Sequence, residues 1–178
     1  MPDDRTIRKN LKSQYHAALE MVRIAVEKCP EQLWYDQTPT NAFWQVAYHT
    51  VFFAHLYLQQ NEAAFRPWPG HQGRVQHGDA IPGPADPNSV LPLIPAPYSR
   101  AEVLAYCDYC HALLDDAVDA LDLEAPTSGF SWYTASKFEH QLVNLRHIQH
   151  HAAQLADRLR AELDIGIQWV GGWRPNSR

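Results

Sequence analysis

The chain lacks the features that are typical of nucleic-acid-binding and membrane proteins. Its 15 Lys and Arg residues are scattered among 20 Asp and Glu residues, and the formal net charge is −5. A nucleic-acid-binding face needs a basic patch, so we expect no nucleic-acid partner. The longest apolar run, VFFAHLYL, is far too short to span a bilayer, and the first ten residues contain no apolar signal core. We therefore expect a cytoplasmic protein without membrane association.

Cysteine is also scarce, and the number is odd. Three cysteines fit a reducing compartment better than a disulfide framework. Cys107 and Cys110 form a C-x-x-C, but a zinc site of this type would need a second pair, and a thioredoxin motif would need a preceding strand. We predict that both are small apolar thiols in a core. The sequence has no H-E-x-x-H motif, which argues against a zincin-type protease.

What the sequence has is helical periodicity. With 178 residues and 46% hydrophobic residues, the chain is long and apolar enough for one domain over residues 1–178. Apolar residues recur every three or four positions in four segments, and no segment shows a sustained period of two, which predicts an all-α fold. The predicted helices cover about residues 6–29, 41–65, 99–123 and 136–163. Two of them begin with a capping-box pattern, Ser99 with Glu102 and Ser136 with Glu139.

A segment rich in proline and glycine, residues 66–98, separates the second and third predicted helices. Such a segment cannot continue either helix, and a loop of this length can return along the bundle and leave its two helices parallel. The other connections are shorter. We therefore predict a four-helix bundle with up-down-down-up topology and a long crossover loop. The tail, residues 165–178, contains two tryptophans, which we expect to pack on the bundle; the alternative is a dimer contact.

The stretch NLRHIQHHAAQ places three histidines within five positions of the fourth predicted helix. His147 and His151 are four residues apart, so their side chains lie on the same face, whereas His150 points elsewhere and should be exposed. They belong to a polar strip, with His140 and Asn144, along the edge of an apolar stripe. That stripe comprises Phe138, Leu145, Ile148, Ala152, Leu155 and Leu159, and Gln154 and Arg158 extend the polar strip.

The second predicted helix carries His49 in the middle of an otherwise apolar stripe. Packing alone does not require imidazole there, and burying an unpartnered ring costs about 1–3 kcal/mol. One explanation is a core histidine that is hydrogen-bonded to a carbonyl or a tyrosine. The other is a third metal ligand, because antiparallel helices would place His49 and His151 at similar heights. Three neutral imidazoles suit Zn²⁺ or Ni²⁺ and leave open positions for water or substrate, as in catalytic sites.

These residues resemble the DinB family, metal-binding four-helix bundles related to bacterial thiol S-transferases and to the mycothiol-dependent maleylpyruvate isomerase. The family carries one histidine partway along the second helix and H-x-x-x-H-x-G-Q on the last. Here FWQVAYHTVFF supplies His49, and HIQHHAAQL supplies His147, His151 and Gln154. The chain departs from the motif at Ala153, where the family usually has a close-packed glycine. The resemblance implies a metal site of His49, His147 and His151, often a homodimer, and, in characterised relatives, attack of a metal-activated thiol on an electrophile.

Other polar residues are weaker candidates. Asp115, Asp116 and Asp119 form an acidic patch that we interpret as a solvated face, although one of them could accept a hydrogen bond from a ligating imidazole. Asn144 and Gln154 are alternatives for that role. His71 and His77 lie in the crossover, where exposed loop residues are the simpler interpretation and lid residues facing the metal the other.

Two functions remain open from the sequence. The first is an enzyme in which a divalent ion, Zn²⁺ or Ni²⁺, activates a thiol or water for transfer to, or hydrolysis of, a small electrophile. Its partner would be a small-molecule substrate, which could be a low-molecular-weight thiol. The alternative is a non-catalytic bundle that binds a metal or small ligand or serves as an interaction module. In a third interpretation the chain binds no metal, and the histidines are ordinary core and surface residues. No general acid or base can be assigned from the sequence.

Overall fold

The computed structural model describes residues 3–72 and 96–173, and all regular secondary structure in these two ranges is helical. Four long helices form a bundle, as predicted. A short helix follows the first of them, and a single 3₁₀ turn, Glu62–Ala64, follows the third helix. The helices are α1 (Asp4–Lys28), α2 (Glu31–Trp34), α3 (Phe43–Tyr57), α4 (Arg100–Ala120) and α5 (Lys137–Leu163).

Contacts between helices give their relative directions. α1 is antiparallel to α4, because Lys12 pairs with Asp119 at 2.7 Å while Arg23, further along α1, pairs with Asp108 at 3.3 Å, earlier in α4. α3 and α5 are antiparallel by the same reasoning. The pairs that show it are Tyr57 with Gln141, Ala54 with Asn144, and His49 with His147.

The two remaining neighbouring pairs of helices are parallel. α3 and α4 run together, since Tyr48 stacks on Tyr98, just before α4, and His55 contacts Tyr106 about two turns later in both helices. α1 and α5 run together as well, and the contacts are Tyr15 with Gln141 and Met21 with Gln149. The up-down-down-up arrangement is therefore confirmed. Residues 73–95 of the predicted crossover, including His77, lie outside the described part of the chain.

The capping signals at the starts of α4 and α5 are found in the structure, one of them fully. The Ser99 hydroxyl accepts a hydrogen bond from the Glu102 amide, and the Glu102 carboxylate accepts one from the Ser99 amide, which completes a capping box. At α5 the Ser136 hydroxyl accepts from the Glu139 amide, and the reciprocal bond is not found among the described residues. Half a capping box is enough to satisfy one otherwise unpaired N–H of the first turn.

The extent of the second long helix was predicted wrongly. α3 ends at Tyr57 rather than near Phe65, and only the separate 3₁₀ turn at Glu62–Ala64 follows it. The physical reason lies in α5, whose polar side chains bind the carbonyl groups that the early end leaves unpaired. Gln141 Nε2 donates to the Tyr57 carbonyl at 3.0 Å, and Asn144 Nδ2 donates to the Ala54 carbonyl at 3.2 Å.

The polar strip on α5 is another correction. His140 and Asn144 were expected at the edge of the core, but both are completely buried. Phe138, expected in the apolar stripe, is exposed, and Leu145 is half-buried. The face of α5 turned toward α3 therefore begins with polar residues that bind the end of α3 and becomes apolar only further along.

The core itself is otherwise built as expected. Ile148, Ala152, Leu155 and Leu159 are fully buried. All three cysteines are buried and free, and burial raises the pKa of Cys29 and Cys107 to about 12 and that of Cys110 well above its ordinary value. The prediction that Cys107 and Cys110 are core thiols is confirmed.

The tail follows α1 after the end of α5. Trp173 stacks on His16 with ring centroids 5.4 Å apart, and its backbone N–H and carbonyl both bind the Ser13 hydroxyl. Trp169, in contrast, is 66% exposed, so only one of the two tryptophans packs on the bundle as expected. Over the described ranges, every helix is too short or too polar to cross a membrane.

Candidate metal centre

The structure brings together the three histidines that the sequence singled out. His49 extends from α3, and His147 and His151 extend from successive turns of α5. His147 Nε2 lies 3.1 Å from His49 Nε2 and 3.1 Å from His151 Nε2. One nitrogen from each ring falls in a group whose members are all within 4.8 Å of one another. The i, i+4 spacing on α5 and the antiparallel course of α3 produce this convergence.

The arrangement fits a divalent transition-metal ion. Zinc–nitrogen bonds of about 2.0–2.1 Å in a tetrahedral site separate two ligand nitrogens by about 3.3 Å, close to the spacing of two of the three pairs. Imidazole is a preferred ligand of Zn, Cu, Fe and Ni. Within residues 3–72 and 96–173, this is the one cluster of histidine, cysteine or carboxylate groups with such geometry. All three rings are half-buried, so an ion bound there would face protein on one side and would be open to solvent or substrate on the other.

Electrostatics keep the central ring neutral. Burial, reinforced by the neighbouring rings of His151 and His49, lowers the pKa of His147 to about 3. The pKa of His151 is lowered as well, chiefly by burial, while its hydrogen bond to Gln154 acts in the opposite direction. A neutral imidazole presents a lone pair, which is the form that binds a metal. The rings of His147 and His151 therefore need no deprotonation at neutral pH to act as ligands.

Gln154 orients one of the rings. Its Oε1 lies 2.6 Å from His151 Nδ1, which must be the donor because an amide oxygen can only accept. The proton on Nδ1 leaves the lone pair on Nε2, the nitrogen that faces the other two histidines. Asn144, the other residue considered for this role, instead donates to the carbonyl of Ala54. His147 Nδ1 is buried, and no hydrogen-bond partner for it is found in the described ranges.

Other residues that the sequence analysis considered near the metal site lie outside the cluster. His150 is exposed, as predicted, and its ring meets that of His151 edge-on at 5.0 Å. Ala153 is exposed too, so the expectation of a close-packed position there is wrong in this chain. Asp115 and Asp119 are also exposed and pair with His16 and Lys12 of α1, away from the three histidines.

His71 is not one of the cluster. Its Nδ1 lies 2.6 Å from the Tyr48 hydroxyl, and its ring is 5.2 Å from that of Phe52. The Tyr98 hydroxyl donates to the Gly70 carbonyl at 2.9 Å, and Tyr98 also stacks on Tyr48. The described chain on both sides of residues 73–95 is thus bound to α3 at Tyr48. His71 is half-buried, which corrects the expectation of an exposed loop residue.

An aromatic pocket borders the cluster, and the sequence did not reveal it. Phe53, one turn after His49, has its ring centroid 4.7 Å from that of His49 and 5.7 Å from that of His147. The same ring lines a pocket of about 650 Å³, together with Tyr57 and Trp132. The i, i+4, i+8 spacing of His49, Phe53 and Tyr57 was a usable signal, but Trp132 comes from a loop whose position no periodicity predicts.

Comparison with known proteins identifies the family of the chain. A family model described as the DinB superfamily matches residues 14–155, a range that contains His49, His147 and His151. Searches of curated proteins and of solved structures gave no significant match. The family match covers most of the chain and parts of all four long helices. The chain therefore belongs to the DinB superfamily.

Proposed function

We propose that this protein is a metal-dependent enzyme that activates a thiol or water for transfer to, or hydrolysis of, a small electrophile. The observation that carries the proposal is the convergence of three imidazole nitrogens from two helices, with two spacings of 3.1 Å. Zinc and nickel are the ions we favour, because neutral nitrogen ligands and an open coordination position suit both.

Three neutral ligands and no carboxylate leave the charge of a dication uncompensated by the described residues. A bound ion would supply the positive charge that lowers the pKa of a thiol or water into the neutral range. The side chains of the protein would hold the ion and orient its ligands. His49 fixes the position from α3, His147 and His151 fix it from α5, and Gln154 keeps the His151 lone pair turned inward. The ring of Phe53 lies beside the cluster, between His49 and the aromatic pocket.

A non-catalytic metal-binding bundle is the second candidate. The observation in its favour is that the ligands link two different helices, α3 and α5, so a bound ion would stabilise the bundle whether or not chemistry takes place. The two functions share the metal and differ only in reactivity, so they require two separate measurements.

The first measurement is the metal content of protein purified without an affinity tag. We expect about one divalent ion per chain in the wild type. His147→Ala should lose the ion, and the melting temperature of this variant should no longer rise when Zn²⁺ or Ni²⁺ is added. His150→Ala is the matched control, since this exposed ring lies next to His151 but outside the cluster. Equal metal content in both variants would eliminate the three-histidine site.

The second measurement is activity toward chromogenic electrophiles in the presence of low-molecular-weight thiols, and toward esters in water. We expect turnover that depends on added metal, persists in His150→Ala and disappears in His147→Ala. A metal-loaded wild type that remains inert toward every thiol and ester offered would favour the non-catalytic bundle.

A further inference from the structure

We propose that the aromatic pocket beside the histidine cluster binds an uncharged aromatic group, and that this group belongs to the electrophile. The second half of the statement rests on the proposed function, whereas the first can be tested without any reaction. The pocket has a volume of about 650 Å³. Small-molecule sites usually measure about 300–1,000 Å³ and are lined mainly by apolar and aromatic side chains.

Most of the residues that line this pocket are aromatic. Five of its side chains are Phe52, Phe53, Tyr57, Phe65 and Trp132. Phe52 meets Phe65 edge-on at 5.4 Å and Phe53 edge-on at 5.3 Å, so neighbouring rings of the wall stand at steep angles to one another. Stacked and edge-to-face pairs are the arrangements that aromatic groups prefer, and each such pair stabilises a complex by more than the burial of its apolar surface alone. A flat aromatic ligand can form several of them at once.

The pocket is also held in place by the backbone. Beside α3, its wall includes residues of two segments outside the long helices, 62–65 and 129–132, which are joined where the Glu62 amide donates to the Gly129 carbonyl at 3.2 Å. Gly129 has φ +82°, and a Cβ at this position would clash with the carbonyl oxygen of Gln60. Glycine fits this position because it adopts a positive φ without strain and has no Cβ. The Trp132 indole N–H donates to the Tyr57 hydroxyl at 3.2 Å, which fixes the ring of Trp132 over the end of α3.

Charge selects against an anionic ligand. No Lys or Arg side chain is found among the described residues that line the pocket, and its one carboxylate, Glu62, lies exposed at the rim. Two other groups of the wall are ionisable: burial raises the pKa of the Tyr57 hydroxyl and lowers the pKa of His71, so both are neutral at physiological pH. A negatively charged substituent would meet the Glu62 carboxylate without a compensating cation.

Phe53 connects the pocket to the chemistry. One ring contributes to the pocket and contacts two of the three histidines, His49 and His147. A ligand that stacks in the pocket is therefore separated from the metal-binding histidines only by the ring of Phe53. A reactive carbon attached to such an aromatic group could reach the cluster around the edge of Phe53, which makes Phe53 the residue we expect to determine specificity.

Binding is tested with two dyes on protein stripped of metal. N-phenyl-1-naphthylamine is uncharged, and 1-anilinonaphthalene-8-sulfonate has the same ring system with a sulfonate. We expect the uncharged dye to bind at least about tenfold more tightly, because the wall offers stacking but no cation. Trp132→Ala should weaken its binding about tenfold, since it removes a ring from the wall. Trp169→Ala, an exposed tryptophan on the tail, is the matched control and should bind like the wild type.

Unchanged dye binding in Trp132→Ala, or equal losses in both tryptophan variants, would overturn the pocket assignment, and tight binding of the sulfonate would overturn its charge preference. If Trp132→Ala fails to fold, Phe65→Leu serves the same purpose.

In the metal-loaded enzyme we expect aryl electrophiles to exceed alkyl electrophiles with the same leaving group in kcat/KM by about tenfold, and Phe53→Leu to reduce that ratio. Equal rates would overturn the link to the electrophile. Dye binding without turnover of any substrate would refute the proposed function and leave the pocket assignment intact.

Discussion

At the scale of single residues, the two α5 histidines of the metal centre differ in what their second nitrogen contacts. His151 Nδ1 donates to Gln154 Oε1 at 2.6 Å, whereas His147 Nδ1 is buried and has no hydrogen-bond partner among the described residues. A ligand whose second nitrogen is bound is fixed in tautomer and orientation. Gln154 is therefore the residue outside the ligand set on which the affinity of the site should depend most.

Replacing Gln154 by Ala should weaken metal binding about tenfold to a hundredfold, because His151 Nδ1 loses its acceptor and the ring loses its preferred tautomer. The measurement is a competition titration against a chromogenic chelator. Gln149→Ala is the control, since this glutamine, on the same helix, contacts the sulfur of Met21 instead. Equal affinities in the two variants would contradict the role of Gln154.

The sequence predicted these individual roles unevenly. His49 was recognised because imidazole is out of place in an apolar stripe, and His147 and His151 because four-residue spacing puts them on one face. Asn144 was placed beside the histidines by the same periodicity, yet its amide binds the Ala54 carbonyl. Periodicity gives the face on which a side chain lies, but not the group that it binds on the neighbouring helix.

At the scale of elements, α3 and α5 form a pair in which one helix completes the other. α3 ends at Tyr57 without a Gly or Pro signal, and side chains of α5 bind the carbonyls that its last turn leaves unpaired. Lys137 extends the pattern, because its Nζ donates to the Gln59 carbonyl at 3.1 Å and lies 5.1 Å from the centre of the Phe130 ring. The end of α3 is thus determined by residues 78 to 90 positions later, which is why local sequence signals could not predict it.

Gln141→Leu should lower the free energy of unfolding by about 1–3 kcal/mol, because the buried Tyr57 carbonyl loses its donor while the volume of residue 141 is nearly kept. The Tyr15 hydroxyl keeps the backbone carbonyl of residue 141 as an acceptor at 3.1 Å, so most of the loss belongs to Tyr57. Urea denaturation measures the change. Leu142→Gln, at the adjacent exposed position, should stay within about 0.5 kcal/mol; a larger loss in this control than in Gln141→Leu would refute the argument.

At the scale of the whole molecule, the bundle contains buried neutral histidines beyond the metal centre. Burial lowers the pKa of His55 to about 4, and burial with the nearby Lys137 charge lowers that of His140 to about 4. His55 contacts the Tyr106 hydroxyl at 3.0 Å, whereas His140 sits among the rings of Tyr57, Phe130 and Tyr133. The fold thus keeps both rings uncharged in a range of pH where the unfolded chain would protonate them.

The stability of the metal-free protein should therefore fall as the pH decreases. A histidine whose folded pKa lies below the unfolded value of about 6.5 contributes fully above pH 6.5, and that contribution is lost as the pH falls toward about 4. The slope is about 1.4 kcal/mol per pH unit for each proton that unfolding takes up. Urea titrations at several pH values measure it. His140→Phe, which fills the aromatic surroundings without a titratable group, should flatten the slope; an unchanged slope would contradict this origin.

The topology of the whole molecule was more predictable than its details. A proline-rich segment too long for a tight turn indicated that α3 and α4 are parallel, and the contacts of Tyr48 with Tyr98 and of His55 with Tyr106 confirm it. The aromatic pocket was predictable only in its α3 part, because residues 62–65 and 129–132 are far apart in the sequence and are joined by a backbone hydrogen bond at Gly129.

The burial of all three cysteines has a practical consequence for enzymology. Their sulfurs lie in the core with raised pKa values, so the native chain presents almost no thiolate of its own to alkylating reagents. Iodoacetamide or maleimide compounds can accordingly be offered as trial substrates without alkylating the three cysteines of the enzyme. Any sulfur that reacts with them must then be one that diffuses in from the buffer.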